Sequence, residues 1–176
     1  DGILMLNGNS YAVRMFTDDL SSTELISAYD ALADEKYTIV TGDQVSNIPT
    51  ENPMYTYGGQ NLVAATNNDD FKAGGGPFEM TVNFSTGAGQ LTATSNDAGT
   101  NLTGQFIVDT STGYFSGDDL ALTAPNLTAP NLKGPTTAVI TGSFHGDGAV
   151  GVSGLYYDAG DNPLVNGAII GSRFTD

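Results

Sequence analysis

The sequence predicts a mainly β protein: an antiparallel barrel or sandwich from about residue 54 onward, preceded by a β-hairpin and one short α-helix. Three observations lead there. From Met54 the chain is a succession of short segments with period-two alternation, separated at close spacing by Gly, Asn and Asp turn signals. The C-terminal run Thr136–Arg173, TTAVITGSFHGDGAVGVSGLYYDAGDNPLVNGAIIGSR, carries glycines inside its β-like segments as well as between them. Glycine inside a strand marks a tight bend, a bulge or a close backbone approach, and sharply coiled sheets and small closed barrels need such positions. Lastly, only one stretch of the chain shows an apolar stripe at helical spacing.

In chain order, residues 3–17, ILMLNGNSYAVRMFT, read as two strands around a turn at Asn7-Gly8-Asn9-Ser10, because Asn-Gly between apolar segments favours a tight hairpin. This hairpin either packs on its own domain or offers an apolar strand to a neighbouring subunit. In the second case Ile3, Leu4, Leu6, Tyr11 and Val13 are the assembly residues. Residues 21–35 are the predicted helix: Ser22 is an N-cap, and Leu25, Ile26, Tyr29 and Leu32 form one stripe, with Asp30, Asp34 and Glu35 on the other face. Tyr37–Thr41 follows as a strand. A loop with Pro49 and Pro53 then sets a boundary between an N-terminal segment, 1–53, and a barrel domain, 54–176.

Beyond the boundary, Met54 to Thr66 is the first strand, followed by an Asn67-Asn68-Asp69-Asp70 turn and a Gly74-Gly75-Gly76 loop. Glu79 to Ser85 places Met80, Val82 and Phe84 on one face. Gln90 to Ser95 points Leu91 and Ala93 inward, and Asn101 to Thr110 does the same with Leu102, Gly104, Phe106 and Val108. Tyr114–Gly117 and Leu120–Thr123 come next, then the tandem APNLT, APNLK, which reads as an irregular exposed connection.

Composition bounds the function. With 176 residues, 39% hydrophobic and 9% aromatic, the chain supports one folded core with an appended segment. Twenty acidic residues face only five basic ones, Arg14, Lys36, Lys72, Lys133 and Arg173, for a formal net charge of −15. That balance repels nucleic acid and anionic membranes, which bind through clustered cations, and with no basic cluster it excludes nucleic-acid binding. The absence of cysteine removes disulfides, thiolate metal sites and cysteine nucleophiles. No apolar run is long enough for a spanning helix, and no signal peptide stands at Asp1; for an exported chain this numbering would start after the processing site.

No catalytic signature is visible. His145 is the only histidine, so a Ser-His-Asp triad would need it as base, and no Gly-x-Ser-x-Gly elbow accompanies it. Strand parity turns His145 away from Phe144, toward solvent at a strand end. It is then an ordinary surface histidine, or an axial haem or metal ligand whose partners would be Tyr, Met or carboxylates. Acidic clusters at Asp18-Asp19, Asp69-Asp70, Asp118-Asp119, Asp147 and Asp158/Asp161 are material for calcium, but none has EF-hand spacing, and turn formation explains them more simply. A carboxylate-pair glycosidase would lack tryptophan for sugar stacking.

The segments from Tyr55 to Arg173 resemble the β-barrel domain of the transferrin-binding protein B family of bacterial surface lipoproteins. The likeness is carried by Tyr55-Thr56-Tyr57-Gly58-Gly59, PFEMTVNFSTGAGQLTA and GQFIVDTSTGYFSG. It is strongest at Gly142-Ser143-Phe144-His145-Gly146, with Ala149, Gly154 and the closing Gly167-Ala168-Ile169-Ile170-Gly171-Ser172-Arg173. His145 stands where the family usually has Tyr, and Ser153 replaces the first glycine of a pair. Ile169 and Ile170 take a Phe-containing position, while Gly151 and Val152 stand where an acidic residue is common. The resemblance implies an eight-stranded, mostly antiparallel barrel preceded by a handle-like segment, at the bacterial cell surface in association with the outer membrane. A lipid anchor would precede residue 1. It carries over no ligand, because binding loops in this family diverge.

Two functional readings follow. One is a non-enzymatic secreted or surface-tethered module that takes a protein or small ligand through barrel-end loops. The other is a structural subunit that assembles into a fibre or layer through its N-terminal strand.

Overall fold

The computed structural model describes residues 2–6, 9–18, 23–30, 35–49, 54–67, 70–96, 98–124, 135–159 and 164–174. Side chains are described outside 2–41 and 65–73. The first four strands, β1 (Gly2–Leu6), β2 (Asn9–Asp18), β3 (Thr23–Asp30) and β4 (Glu35–Thr41), form an antiparallel sheet in the order β1-β2-β3-β4. The expected N-terminal hairpin is therefore present, with Leu4 opposite Tyr11, while its turn residues Asn7 and Gly8 lie outside the described residues.

The predicted helix over 21–35 is corrected: Thr23–Asp30 is a strand, and no helix occurs among the described residues. Leu25 pairs with Phe16 on one side and with Val40 on the other. As a central strand, β3 satisfies its backbone groups across the sheet instead of within helical turns, so tertiary pairing overrides the local stripe. The proposed cap Ser22 and the stripe residue Leu32 lie outside the described residues.

Eight further strands close a barrel: β5 (Met54–Asn67), β6 (Asp70–Asn83), β7 (Ala88–Ser95), β8 (Thr100–Val108), β9 (Tyr114–Thr123), β10 (Thr136–His145), β11 (Gly151–Asp158) and β12 (Val165–Arg173). All neighbours are antiparallel, and β12 closes on β5 through pairs such as Gly171–Gly59. Two local expectations change. Gly74–Gly76 belongs to β6 rather than to a loop, and the two short segments around Asp118-Asp119 are one strand carrying a bulge. The connection 125–134, which holds most of the tandem repeat, and residues 68–69 of the first predicted turn lie outside the described residues.

One cross-strand row shows how the barrel closes. It runs Met54, Asn83, Ala88, Ile107, Ser116, Thr141, Leu155, Ala168 and then returns to β5 at Leu62. Because it comes back further along β5 than it started, the strands are staggered and tilted, and the bore is narrow enough for side chains to fill. Tyr57, Met80, Phe84, Leu91, Leu102, Leu120, Leu122 and Phe144 fill it, each at 1% exposure or less.

The strand glycines make room for aromatic rings. Gly142 pairs with Phe115 on β9, and a Cβ there would strike the Phe115 ring and the Ser153 carbonyl. Gly167 pairs with Tyr156 in the same manner, the ring lying over the position a side chain would take. Glycine in Thr136–Arg173 therefore permits cross-strand aromatic cover as well as curvature.

On the outside of the barrel, Ala168 and Ile170 are buried, with Leu62 and Leu155 packed against them. Strands β2, β3 and β4 approach β11 and β12 at this place, so the N-terminal sheet lies on that flank of the barrel.

Candidate functional site

Two features stand out where function could reside: a clasp at one barrel end and an open face opposite the N-terminal sheet. The clasp end gathers the β6–β7, β8–β9 and β10–β11 turns and residues 42–49, which lead in from β4. Aromatic rings plug the bore here. Phe144 sits 5.0 Å from Tyr57, 5.1 Å from Phe84 and 5.5 Å from Phe115, ring centroid to centroid. Val45 and Ile48 pack over the plug from the linker.

The linker is zipped to the β10–β11 turn. The Gly146 amide donates to the Asp43 carbonyl (3.3 Å), Ser46 N–H to Gly146 O (3.2 Å) and Gly148 N–H to Ser46 O (2.8 Å). Asp147 accepts from Asn47 Nδ2 at 2.7 Å and from Ser46 Oγ at 3.0 Å. These donors hold its carboxyl below the usual carboxylate range. Asn47 and Ala149 adopt φ of 50° and 55°, a left-handed conformation held by this pairing. Beneath it the Tyr57 hydroxyl donates to Ala149 O at 2.7 Å, and burial pushes the phenol up. Arg173 reaches the Gly148 carbonyl at 2.9 Å and lies over the Tyr55 ring, 4.8 Å from its centroid.

His145 belongs to this clasp. It points away from Phe144 and the bore, as parity requires, but it is buried at 6% exposure, which corrects the expectation of a solvent-facing ring. Residues 42–43 cover it; a Cβ on Gly42 would come within 2.6 Å of Nδ1. Nδ1 faces the Asp43 carbonyl at 3.3 Å, and a carbonyl can only accept, so Nδ1 carries the proton. Nε2 then accepts from Ser153 Oγ at 2.6 Å and lies 3.1 Å from Ser143 Oγ. Burial holds the imidazole below its ordinary pKa, opposed by Asp43, so the ring is neutral at pH 7. In this arrangement both ring nitrogens have hydrogen-bond partners within the clasp. The Ser153 hydroxyl resembles half of a catalytic dyad but is 1% exposed. Among the described residues no group of three or more His, Asp or Glu side chains converges as a metal site.

The open face lies on β6 to β9. A groove of about 1110 Å³ crosses it, lined by Asn83, Gln90, Gln105, Ile107, Asp118 and Asp119 among others. A second, of about 640 Å³, adjoins it and runs on over β8 to β11 toward the sheet-covered flank, sharing Ile107 and Ser116, with Tyr114, Asp109 and Leu155 on its walls. The β9 bulge sets Asp118 and Asp119 side by side on the exterior, both exposed. Ile107 (72% exposed) is bare at the junction of the two grooves, Tyr114 (66%) on the wall of the second and Met54 (59%) on the wall of the first. Sequence reasoning passed over Ile107, although the alternation that sends Phe106 and Val108 inward also sends Ile107 out.

The assembly residues lie on the other side. Ile3, Leu4 and Leu6 are on β1, and Tyr11 and Val13 are on β2. Among the described strands β1 pairs only with β2, at the edge of the sheet. The structure therefore brings His145 together with Ser143, Ser153 and Asp43, and does not bring it to the assembly residues.

No family model matches the sequence, and no curated protein matches it. Solved structures do. The isotype 1 transferrin binding protein B from Neisseria meningitidis superposes at TM-score 0.74 with 16% identity, over 99% of this chain and 35% of that one. A double mutant of transferrin binding protein B from Haemophilus parasuis gives 0.72 and 14%, over 99% and 37%. The N-lobe domain of lactoferrin binding protein B from Moraxella bovis gives 0.54 and 12%, over 93% and 80%. This chain thus spans little more than a third of the first two proteins. At these identities the likeness concerns the fold, and the chain has a transferrin binding protein B-like β-barrel fold.

Proposed function

We propose that the chain is a non-enzymatic bacterial cell-surface binding module that takes a protein partner outside its barrel, through the barrel-end loops. The observation that carries this reading is the filled bore. An eight-stranded barrel can hold a small ligand inside, but here aromatic and aliphatic side chains occupy the interior, so recognition falls to the exterior. The solved structures sharing this fold are named for binding transferrin and lactoferrin, which supports a protein partner and a surface location. Residues 1–53 then act as a handle-like unit and 54–176 as the barrel unit, with a lipid anchor ahead of residue 1. The test is to immobilise the intact chain and pass transferrin and lactoferrin, iron-loaded and iron-free, over it. Saturable binding to either supports the module; no binding to any form removes these two as partners.

A second reading is a structural subunit that polymerises through β1, an apolar strand at the edge of the N-terminal sheet. Size-exclusion chromatography with negative-stain microscopy separates the two. The subunit reading expects polymers that become soluble monomers when residues 1–17 are deleted, and a strictly monomeric intact chain at high concentration ends it.

A further inference from the structure

We infer that the outer face of β6–β9 is a docking surface for a cationic, partly apolar segment of a partner protein. This goes beyond barrel-end loops, since it places a contact on the strand wall, and it rests on the binding-module reading above.

The argument starts from charge placement. Among the described residues that line the two joined grooves none is Lys or Arg, while Asp109, Asp118 and Asp119 are acidic. Hydrogen bonds from Ser111 and Thr112 hold Asp109 below the usual carboxylate range, so it stays ionised. The basic residues of the described strands sit elsewhere. Arg14 and Lys36 are on the N-terminal sheet, which lies against β11 and β12, across the barrel from β7 and β8. Lys72 is at the far end of β6, and Arg173 is engaged with Gly148 and Tyr55. Lys133 lies outside the described residues.

Apolar exposure coincides with this negative strip. Ile107 projects where the grooves meet, with Tyr114 on the wall of the second and Met54 on the wall of the first. A clustered apolar exposure rimmed by charge marks an interaction site more than scattered exposure does. The barrel's opposite flank shows what such a row looks like when covered, for Ala168 and Ile170 are buried there beneath the sheet. The occupant must complement carboxylates and offer apolar side chains to Ile107 and Tyr114. A second copy of this chain meets it poorly, because both copies carry a net charge of −15.

The probe is a fluorescein-labelled peptide of alternating lysine and leucine, titrated with the intact chain by fluorescence anisotropy. Peptides alternating glutamate with leucine, and lysine with serine, serve as comparisons. The wild-type chain is expected to bind the lysine–leucine peptide best. Asp118→Asn with Asp119→Asn should weaken it by about three- to tenfold and flatten its salt dependence. Ile107→Ser should weaken it by about tenfold. Asp30→Asn with Glu35→Gln, the same charge change on the N-terminal sheet, should alter it by less than about twofold. All three sites substituted on the barrel are exposed, and thermal melts confirm that the variants stay folded. The inference is overturned by no wild-type binding, by equal binding of the glutamate–leucine peptide, or by an equal loss in the sheet variant. If the immobilised chain still captures transferrin or lactoferrin and the groove variants do not change it, the groove fails while the module stands.

Discussion

Pairing between His145 and Ser153 should appear as a coupling energy between two substitutions. The Ser153 Oγ to His145 Nε2 bond is 2.6 Å long, and both groups are buried. Such a bond contributes about 1 kcal/mol net, and stranding a buried hydroxyl costs about 1–3 kcal/mol more. His145→Ala removes the bond, the contact to Asp43 and the ring packing beneath Gly42, and leaves the Ser153 hydroxyl with no acceptor, so a loss of about 3 kcal/mol is expected. Ser153→Ala should cost less, about 1 kcal/mol, because Ser143 remains 3.1 Å from Nε2. The double variant removes both partners, so it should fall short of the summed single losses by about 1–2 kcal/mol. Urea unfolding followed by far-UV circular dichroism measures all four corners of the cycle, the chain having no tryptophan to report. Hydrogen exchange at the Ser46 amide, which donates to Gly146, should rise in His145→Ala as the linker loosens. Additive losses, within about 0.3 kcal/mol, would show that the ring and the hydroxyl are not coupled.

The same ring gives a pH dependence. Its folded pKa lies below the ordinary value of 6.5, so the unfolded chain takes up the proton first as pH falls. Stability is therefore full well above 6.5 and declines as pH falls below it toward the folded value. His145→Gln should flatten that decline in urea titrations, and an unchanged slope would assign it to other groups. Phe144→Ala, which empties the middle of the aromatic plug, should cost about 3–5 kcal/mol and be seen as a large drop in melting temperature. Gly142→Val places a side chain on the Ser153 carbonyl and the Phe115 ring, and should destabilise by about 1–3 kcal/mol. A wild-type melting curve from that variant would mean the Phe115–Gly142 contact is not tight.

Much of the barrel was legible because its signal is local. Glu79 to Asn83 and Asn101 to Val108 alternate strictly, and alternation maps directly onto inside and outside of a closed sheet. Thr136–Arg173 likewise reads as strands interrupted by turns at Gly146–Gly148, as found. The segment 23–30 failed for the opposite reason. Leu25, Ile26 and Tyr29 fit a helical stripe, but β3 is held by partners on both sides that no local window contains. His145 shows the same limit at the level of one residue. Parity gave its direction correctly, while its burial depends on Gly42 and Asp43, about a hundred positions earlier in the chain.

By itself, then, the sequence determined the β character of the barrel, the face that the residues of the cleanly alternating strands take, the excess of negative charge and the absence of cysteine chemistry. Each of these follows from composition or from a period of two. Only the tertiary structure decided the four-stranded sheet, the linker clasp over His145, the bulge that sets Asp118 beside Asp119, and the grooves that meet at the bare Ile107. These depend on register and on which strands meet, quantities set when distant segments pair and invisible to spacing along the chain.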